Sequence, residues 1–355
     1  MSVIIEGGRV PARWAEREKS RAAVPIDNKR GPLQGVSLAF INNMPDAALE
    51  DTELQFFELL DLASGEMPVY VRLYSLRGIS RTERGLNHLG RFYSDFDELW
   101  LRRVDGAIIT GTEPHQPNLQ DEPYWKLLAE VFDWAGRNTK STILSCLAAH
   151  ASVLQNDGIR RHRLPDKQFG VFQSKKTNSH HLTEHVSDVV CFPHSRWNEV
   201  RESDLTSAGY MVITKSRDAG ADLFVKKQKQ SLFVHFQGHP EYNEDTLLKE
   251  YRRDIKRYLR GERETYPSMP KGYFNEQFAQ ALLKFQFSVS SLEGEEALGS
   301  FPESAIGDLH NTWKSSAVSV YRNWLRYVLS AREERAPFVS MPAFRGAVSG
   351  KQPAV

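Results

Sequence analysis

Cys146 is the first residue whose position suggests chemistry. It directly follows the apolar run at 142–145 and directly precedes the helical stretch at 147–154. A strand-turn-helix junction lifts a thiol above the sheet edge and places its sulfur at a helix N-terminus, where the dipole favours a thiolate. The backbone N–H of Leu147 is then available as an oxyanion donor. The alternative is a buried structural cysteine, the more common role of a lone cysteine.

His239 and Glu241 are the candidate partners of that thiol. They follow an apolar, strand-like stretch at 231–238 and are separated by Pro240. In an extended segment, side chains two positions apart point the same way. Glu241 can therefore orient one imidazole nitrogen while the other faces the thiol, as in nucleophilic acyl transfer. The alternative is an ordinary loop histidine beside a solvated glutamate, but the agreement of three positions favours catalysis.

The elements that must position these residues alternate along the chain. Apolar strand-like runs lie at 35–41, 69–74, 106–110 and 141–145, and helical spacing occupies 49–62, 124–138 and 148–155. This alternation predicts an α/β fold with a mostly parallel sheet and helices on both faces. Such sheets place their sites at the carboxyl ends of the strands. Later runs at 211–214, 221–225 and 231–236 predict further strands of the sheet or an appended ribbon, and 246–261 and 312–332 predict helices.

The expected organisation is one domain with loose ends. Residues 1–34 are polar and are expected to form an N-terminal arm, and residues 35–330 to form a single domain. Residues 275–308 are interpreted as an insertion, because 286–308 are rich in Ser, Glu and Gly. Residues 331–355 are expected to be a flexible tail.

Composition narrows the function classes. The 355 residues include 46 Lys and Arg against 45 Asp and Glu, a formal net charge of +1, which gives no support to nucleic-acid binding. No apolar run approaches the length of about 18 residues that spans a bilayer. Cys146 and Cys191 form neither a disulfide framework nor a zinc pattern, and Cys191 is interpreted as structural. We expect a cytoplasmic protein without a bound metal or membrane contact.

Several motifs together resemble a known family. They are Asn42-Asn-Met-Pro45, Asp105-Gly-Ala-Ile-Ile-Thr-Gly111, Ser141-Thr-Ile-Leu-Ser-Cys146, Phe169-Gly-Val-Phe172, Pro193-His-Ser-Arg196 and Gly238-His-Pro-Glu-Tyr242. In this order, over about residues 35–330, they look like the homoserine O-acyltransferases of the homoserine O-succinyltransferase type. The resemblance implies a class I glutamine amidotransferase-like fold, a flavodoxin-like three-layer sandwich. It also implies acyl transfer from an acyl-CoA to the hydroxyl of L-homoserine in methionine biosynthesis, no bound cofactor, and a possible homodimer.

The resemblance also assigns roles to single residues. The family cysteine that becomes acylated matches Cys146, and the histidine and glutamate that activate it match His239 and Glu241. The arginine that holds the homoserine carboxylate matches Arg253, a role to which a guanidinium fork is suited. Further substrate-binding positions match Lys167, Ser195 and Glu250.

Three departures leave alternatives open. Asp46 and Ala47 stand where family members commonly carry two lysines, and Leu147 stands where a large group is usual. His115 falls at the position that sorts acyl donors; unlike a glutamate, it would not repel a succinyl carboxylate, which favours succinyl-CoA. An acetyl-CoA donor and a serine acceptor remain alternatives. A second alternative is that the protein is a glutaminase-like or a non-catalytic member of the fold.

Overall fold

The computed structural model describes residues 2–7, 9–20, 35–289 and 299–332. The strands are β1 (Val3–Ile5), β2 (Val36–Ile41), β3 (Val69–Tyr74), β4 (Gly106–Ile109), β5 (Ser141–Ser145), β6 (His162–Lys176), β7 (Val189–Glu199), β8 (Met211–Ser216), β9 (Gly220–Gln228) and β10 (Ser231–Phe236). The helices are α1 (Ala12–Ser20), α2 (Asp46–Ser64), α3 (Glu83–Phe92), α4 (Glu98–Leu101), α5 (Trp125–Asn138), α6 (Leu147–Asp157), α7 (Glu202–Ser207), α8 (Thr246–Leu259), α9 (Glu276–Val289) and α10 (Lys314–Ser330).

The described strands form one sheet in the order β1-β3-β2-β4-β5-β10-β9-β8-β6-β7. From β1 to β10 every neighbouring pair is parallel. From β10 onward the pairs β10·β9, β9·β8, β8·β6 and β6·β7 are antiparallel. The predicted α/β fold with a mostly parallel sheet is confirmed, and the runs at 211–214, 221–225 and 231–236 belong to the same sheet.

Helices cover both faces of the sheet, as predicted. On one face, the apolar sides of α1, α2, α8, α9 and α10 pack against alternate strand residues such as Phe40 and Val234. On the other face, α4, α5, α6 and α7 pack against the intervening residues, such as Ile41 and Phe233. Because both faces are buried, apolar residues predominate in the central strands, and their polar positions, such as Ser141 and Thr142, are small and buried.

The register of β5 and β10 sets the position of the candidate site. Ser145 pairs with Phe236 at the carboxyl ends of these adjacent parallel strands. The chain therefore leaves both strands at the same edge, and the backbone N–H of Cys146 donates to the Phe236 carbonyl at 2.8 Å. This brings Cys146 and the segment after β10 together although they are far apart in sequence.

The N-terminal segment differs from the expected arm. Residues 3–5 extend the sheet beside β3, and Trp14 of α1 is 1% exposed, with its ring 5.6 Å from that of Phe57. The charged composition of α1 concealed this packing, because one tryptophan supplies most of its apolar face. Residues 21–34 lie outside the described residues.

The segment expected to be an insertion contains a packed helix. Phe278, Leu282 and Phe285 of α9 are buried, and two of their rings contact Phe301. Residues 276–289 are therefore part of the core of the protein, whereas 290–298 lie outside the described residues. Of the expected tail, only 331 and 332 are described.

Candidate active site

Cys146 occupies a sharp turn between β5 and α6. Its backbone has φ 51° and ψ −107°, a conformation that costs a non-glycine residue energy and that recurs at functional sites. The residue is partly exposed, whereas Ser145 before it and Leu147 after it are buried. The turn thus holds the thiol at the N-terminus of α6, as the sequence predicted.

His239 and Glu241 form a buried pair beside this thiol. Nδ1 of His239 lies 2.8 Å from Oε1 of Glu241, and Cys146 interacts electrostatically with the same imidazole. Burial by itself lowers the pKa of His239, but the charges of Glu241 and Cys146 raise that pKa well above its ordinary value. The imidazole is therefore held protonated next to the sulfur.

Neighbouring groups fix the orientation of this pair. The His239 backbone N–H donates to the Pro193 carbonyl at 2.7 Å, and its ring stacks on Tyr242 with centroids 4.3 Å apart. Ser145 Oγ donates to Glu241 Oε1 at 3.1 Å. Oε2 of Glu241 has no hydrogen-bond partner among the described residues. The His239 imidazole is therefore the main group that compensates the charge of this carboxylate.

An oxyanion site is available above the start of α6. The Leu147 N–H is the first of the helix and has no intrahelical acceptor. At the end of β4, Gly111 approaches it so closely that a Cβ there would lie 2.7 Å from Leu147 Cβ and 2.9 Å from Leu147 N. Glycine is thus required for this approach, which sets the Gly111-Thr112 turn against the helix N-terminus.

Glu250 of α8 is the centre of a second polar cluster. Ser195 Oγ donates to Oε2, Tyr242 OH donates to Oε1 at 2.6 Å, and Lys167 Nζ lies 3.3 Å from Oε2. Burial would raise the pKa of Glu250, but Lys167 and Arg253 outweigh it and lower that pKa to about 2. Glu250 is therefore a fixed negative charge.

Arg253 lies one turn further along α8. Its guanidinium is 3.1 Å from Asp254 Oδ1 and 3.8 Å from Glu250 Oε2, and its side chain is 46% exposed. Asp254 also holds Lys167, at 2.8 Å. Since about half of Arg253 remains accessible, it can still receive an anion at its outer edge.

Two of the three departures from the family pattern, at His115 and at Asp46, lie in different places. His115 lines the cleft, on a loop that Glu122 anchors by accepting the backbone N–H groups of His115 at 2.5 Å and Gln116 at 2.7 Å. The Asp46 carboxylate instead binds Thr82 at the start of α3 and Arg81 at 3.0 Å. Asp46 is not among the residues that line the cleft, although its neighbours Met44, Pro45 and Ala48 are.

One cleft of about 1210 Å³ contains all the residues that the sequence singled out. They are His115, Cys146, Leu147, Lys167, Ser195, His239, Glu241, Glu250 and Arg253. Sequence reasoning missed the supporting roles of Ser145, Tyr242 and Asp254. Tyr242 directly follows Glu241 and Ser145 directly precedes Cys146, each within a quoted motif, which was the available signal, whereas nothing local marked Asp254.

Two kinds of group were not found in the described part of the chain. It contains no cluster of His, Cys, Asp and Glu side chains that could hold a metal ion. Nor does it contain a helix with the length and apolar composition needed to cross a membrane.

The family model and the sequence relatives agree on the family. The family model described as homoserine O-succinyltransferase matches residues 18–335. A homoserine O-succinyltransferase of Methylobacter tundripaludum is 38% identical over 86% of this chain and 88% of its own length, and that of Rhodopseudomonas palustris is 40% identical over 82% and 87%. Among solved structures, a glutamine amidotransferase from Thermotoga maritima aligns with a TM-score of 0.42 at 11% identity, covering 83% of this chain and 99% of its own. The chain belongs to the homoserine O-succinyltransferase family.

Proposed function

We propose that this protein transfers a succinyl group from succinyl-CoA to the hydroxyl of L-homoserine, through an acyl-enzyme on Cys146. The observation that carries the proposal is the connected array of Cys146, His239 and Glu241 in a cleft that also presents Arg253 and Glu250. Membership of the family supports the choice of donor and acceptor.

The first half-reaction loads the enzyme. The Cys146 thiolate attacks the thioester carbonyl, and the resulting oxyanion accepts hydrogen bonds from the Leu147 N–H and the Gly111-Thr112 turn. The C–S bond to CoA then breaks. His239, which is held protonated, gives its proton to the departing CoA thiolate, so the acyl-enzyme forms beside a neutral imidazole.

The second half-reaction uses that neutral imidazole as a base. His239 removes the proton of the homoserine hydroxyl while its oxygen attacks the acyl carbonyl, and Cys146 leaves as a thiolate. The ester product carries the succinyl group, and His239 is protonated again. The starting state is thereby restored without a redox step or a resident cofactor.

The cluster on α8 suits the amino-acid end of the acceptor. The exposed edge of Arg253 can bind a carboxylate, and the fixed negative charge of Glu250 can attract an ammonium group. Lys167 and Ser195 hold Glu250 in place. A zwitterionic acceptor would therefore be bound through both its carboxylate and its ammonium group, with its hydroxyl directed towards the thiol.

The test combines an acceptor screen with a nucleophile variant. Homoserine and serine are each offered with succinyl-CoA and with acetyl-CoA, and CoA release is followed. We expect turnover with homoserine and succinyl-CoA, and a succinyl adduct on Cys146 by intact mass when no acceptor is present. Cys146→Ala should abolish both signals, whereas Cys191→Ala, at a partly buried position in β7, should leave them unchanged. Normal turnover by Cys146→Ala would refute the mechanism.

A homodimer and a cytoplasmic location stay predictions.

A further inference from the structure

A succinyl donor brings a negative charge into the cleft, and this charge needs a partner. Within the cleft a carboxylate loses part of its hydration, which is costly unless a cation or several hydrogen bonds replace the water. The cations that line the cleft in the described part of the chain are Arg160, Arg161, Arg163, Lys167, Arg196, Arg253, Arg257 and Arg263. Their existing partners decide which of them is available.

Most of these cations are already engaged. Lys167 is held by Glu250 and Asp254, and Arg253 lies against the same two carboxylates. Arg196 is 4% exposed and donates to His194 and to the carbonyls of Asn198 and Ala219. Lys167 and Arg196 therefore have no group left for a donor carboxylate without releasing a present partner, and the accessible edge of Arg253 is assigned to the acceptor carboxylate.

The remaining arginines other than Arg161 are either in contact with other groups or exposed to solvent. Arg257 pairs with Glu113 at 3.3 Å, and Arg263 donates to the Thr265 carbonyl at 2.6 Å. Arg163 is exposed and lies over the Trp197 ring at 4.5 Å. Arg160 is exposed on the rim.

Arg161 differs from all of these. It is partly buried, and it makes no hydrogen bond or ion pair with any described residue of the protein. Its charge acts on Cys146 and on His150, which is one turn beyond Cys146 on α6. It also acts on Glu122 and Tyr124. The guanidinium thus lies within electrostatic range of the nucleophile and has no ion-pair partner among the described residues.

The backbone fixes Arg161 in this position. Gly158 ends α6 in a left-handed conformation with φ 69°, and the Ile159 N–H returns to the Val153 carbonyl at 3.2 Å. The Ile159 side chain is 9% exposed and packs with the residues of α6. This turn sends the chain back along α6, whose residues Leu147, His150 and Leu154 line the cleft.

We propose that the Arg161 guanidinium binds the terminal carboxylate of a dicarboxylic acyl donor while Cys146 attacks its thioester. The inference rests on the proposed function and adds to it the residue that selects a succinyl-type over a neutral acyl group. An arginine fork can meet both carboxylate oxygens, and Arg161 gives up no partner among the described residues when it does so. A neutral acyl group gains nothing from Arg161.

The test compares two donors in matched variants. Arg161→Gln and Arg161→Lys are assayed with succinyl-CoA and with acetyl-CoA by CoA release, and thermal melting checks that each variant is folded. We expect Arg161→Gln to lower kcat/KM for succinyl-CoA roughly tenfold to a hundredfold, the effect of losing one charge-assisted hydrogen bond. The value for acetyl-CoA should change less than about twofold, and Arg161→Lys should retain part of the preference. Arg160→Gln, the exposed neighbour, is the control and should leave the donor ratio unchanged.

The outcomes separate this inference from the proposed function. Equal losses with both donors would mean that Arg161 serves the shared CoA portion, and no loss would mean that it serves neither; both results overturn the inference while acyl transfer stands. The inference also fails if the unsubstituted protein uses acetyl-CoA alone. If it releases CoA from neither donor, the proposed function fails and the inference fails with it.

Discussion

Nδ1 of His239 lies 2.8 Å from Oε1 of Glu241, two residues further along the chain, and both side chains are buried. Burial works against a charged imidazole, and the carboxylate is the first of the groups that overcome it. The protonation of His239 at rest therefore depends on the charge of Glu241, and replacing that charge is the sharpest probe of the site.

Glu241→Gln keeps the shape of the side chain and removes its charge. Burial then dominates and the pKa of His239 falls. Because donor attack needs the protonated imidazole beside the thiolate, the alkaline limb of the kcat/KM profile should move to lower pH. We also expect kcat/KM to fall roughly 10²- to 10⁴-fold. Rates with succinyl-CoA across pH check both effects.

Ser145→Ala is the matched control for this change. It removes the 3.1 Å hydrogen bond to Glu241 but leaves the carboxylate charged. Its alkaline limb should stay close to that of the unsubstituted protein. If Glu241→Gln also left the limb in place, Glu241 would not be what holds the proton on His239.

Gly111→Ala tests the oxyanion site. The added Cβ would lie 2.9 Å from Leu147 N and 2.7 Å from Leu147 Cβ, so either the turn or the start of α6 must shift. We expect kcat to fall roughly tenfold or more, as when an oxyanion donor is displaced. The control is Gly136→Ala in α5, where the nearest atom is 3.4 Å away. An unchanged kcat for Gly111→Ala, measured at saturating substrates, would argue against an oxyanion site at this turn.

Arg253→Met separates acceptor binding from donor chemistry. Without the guanidinium the acceptor carboxylate has no partner, so KM for homoserine should rise roughly tenfold to a hundredfold. CoA release in the absence of acceptor should be unaffected. Arg252→Met is the control, because Arg252 pairs with Glu303 and lies over Phe301. Equal effects on both half-reactions would place Arg253 at the donor instead.

The strands that carry the site were predictable because they are buried on both faces. Residues 69–74, 141–145 and 231–236 were predicted with the bounds that the structure has. Continuous apolar runs leave little ambiguity about where such strands begin and end. The turn at Cys146 then followed from the abrupt change from strand to helix.

The elements that sequence reasoning missed depend on contacts distant in the chain. The strands β6 and β7 are polar at many positions and are stabilised by antiparallel pairing with each other. Arg161 is partly buried in the cleft without an ion pair among the described residues, whereas Lys167, Arg253 and Arg257 have carboxylate partners there. Neither feature has a local signal, because each is a property of the assembled fold.

Asp46→Asn tests the structural role of the residue that replaces a family lysine. Burial acts to raise the pKa of Asp46, but hydrogen bonds from Thr82 and Arg81 outweigh it and lower that pKa. The ionised carboxylate therefore contributes stability above its unfolded pKa of about 3.9, and this contribution is lost as pH falls through the folded value. We expect a loss of about 1 kcal/mol at pH 7 and little change in kcat/KM, because Asp46 is not among the residues that line the cleft.

Urea unfolding measures this loss, and Glu50→Gln is its control. Glu50 pairs with Arg84, which is 84% exposed, so that pair should contribute little. A large drop in activity of folded Asp46→Asn would contradict a purely structural role for the contacts of Asp46 with Thr82 and Arg81.

The buried imidazole of His150 should lower the free energy of unfolding in mild acid. Its ring is 3% exposed and its Nε2 lies 2.8 Å from Gln237 Oε1. Burial, with a smaller effect of Arg196, lowers its pKa to about 3. Below about pH 6.5 the His150 imidazole binds a proton in the unfolded chain but not in the folded protein. The contribution of His150 to the free energy of unfolding is therefore present above that pH and is lost as pH decreases.

His235, whose burial lowers its pKa to about 3, acts in the same direction as His150. Asp222, whose burial raises its pKa to about 6, acts in the opposite direction. His150 is therefore isolated by comparing the unsubstituted protein with His150→Gln, since the contributions of His235 and Asp222 remain in both. Between pH 7 and pH 5 the variant should lose about 2 kcal/mol less free energy of unfolding than the unsubstituted protein. Urea unfolding at constant ionic strength measures both losses, and His310→Gln is the control because His310 is exposed. Equal losses in the two proteins would show that His150 accepts its proton without unfolding.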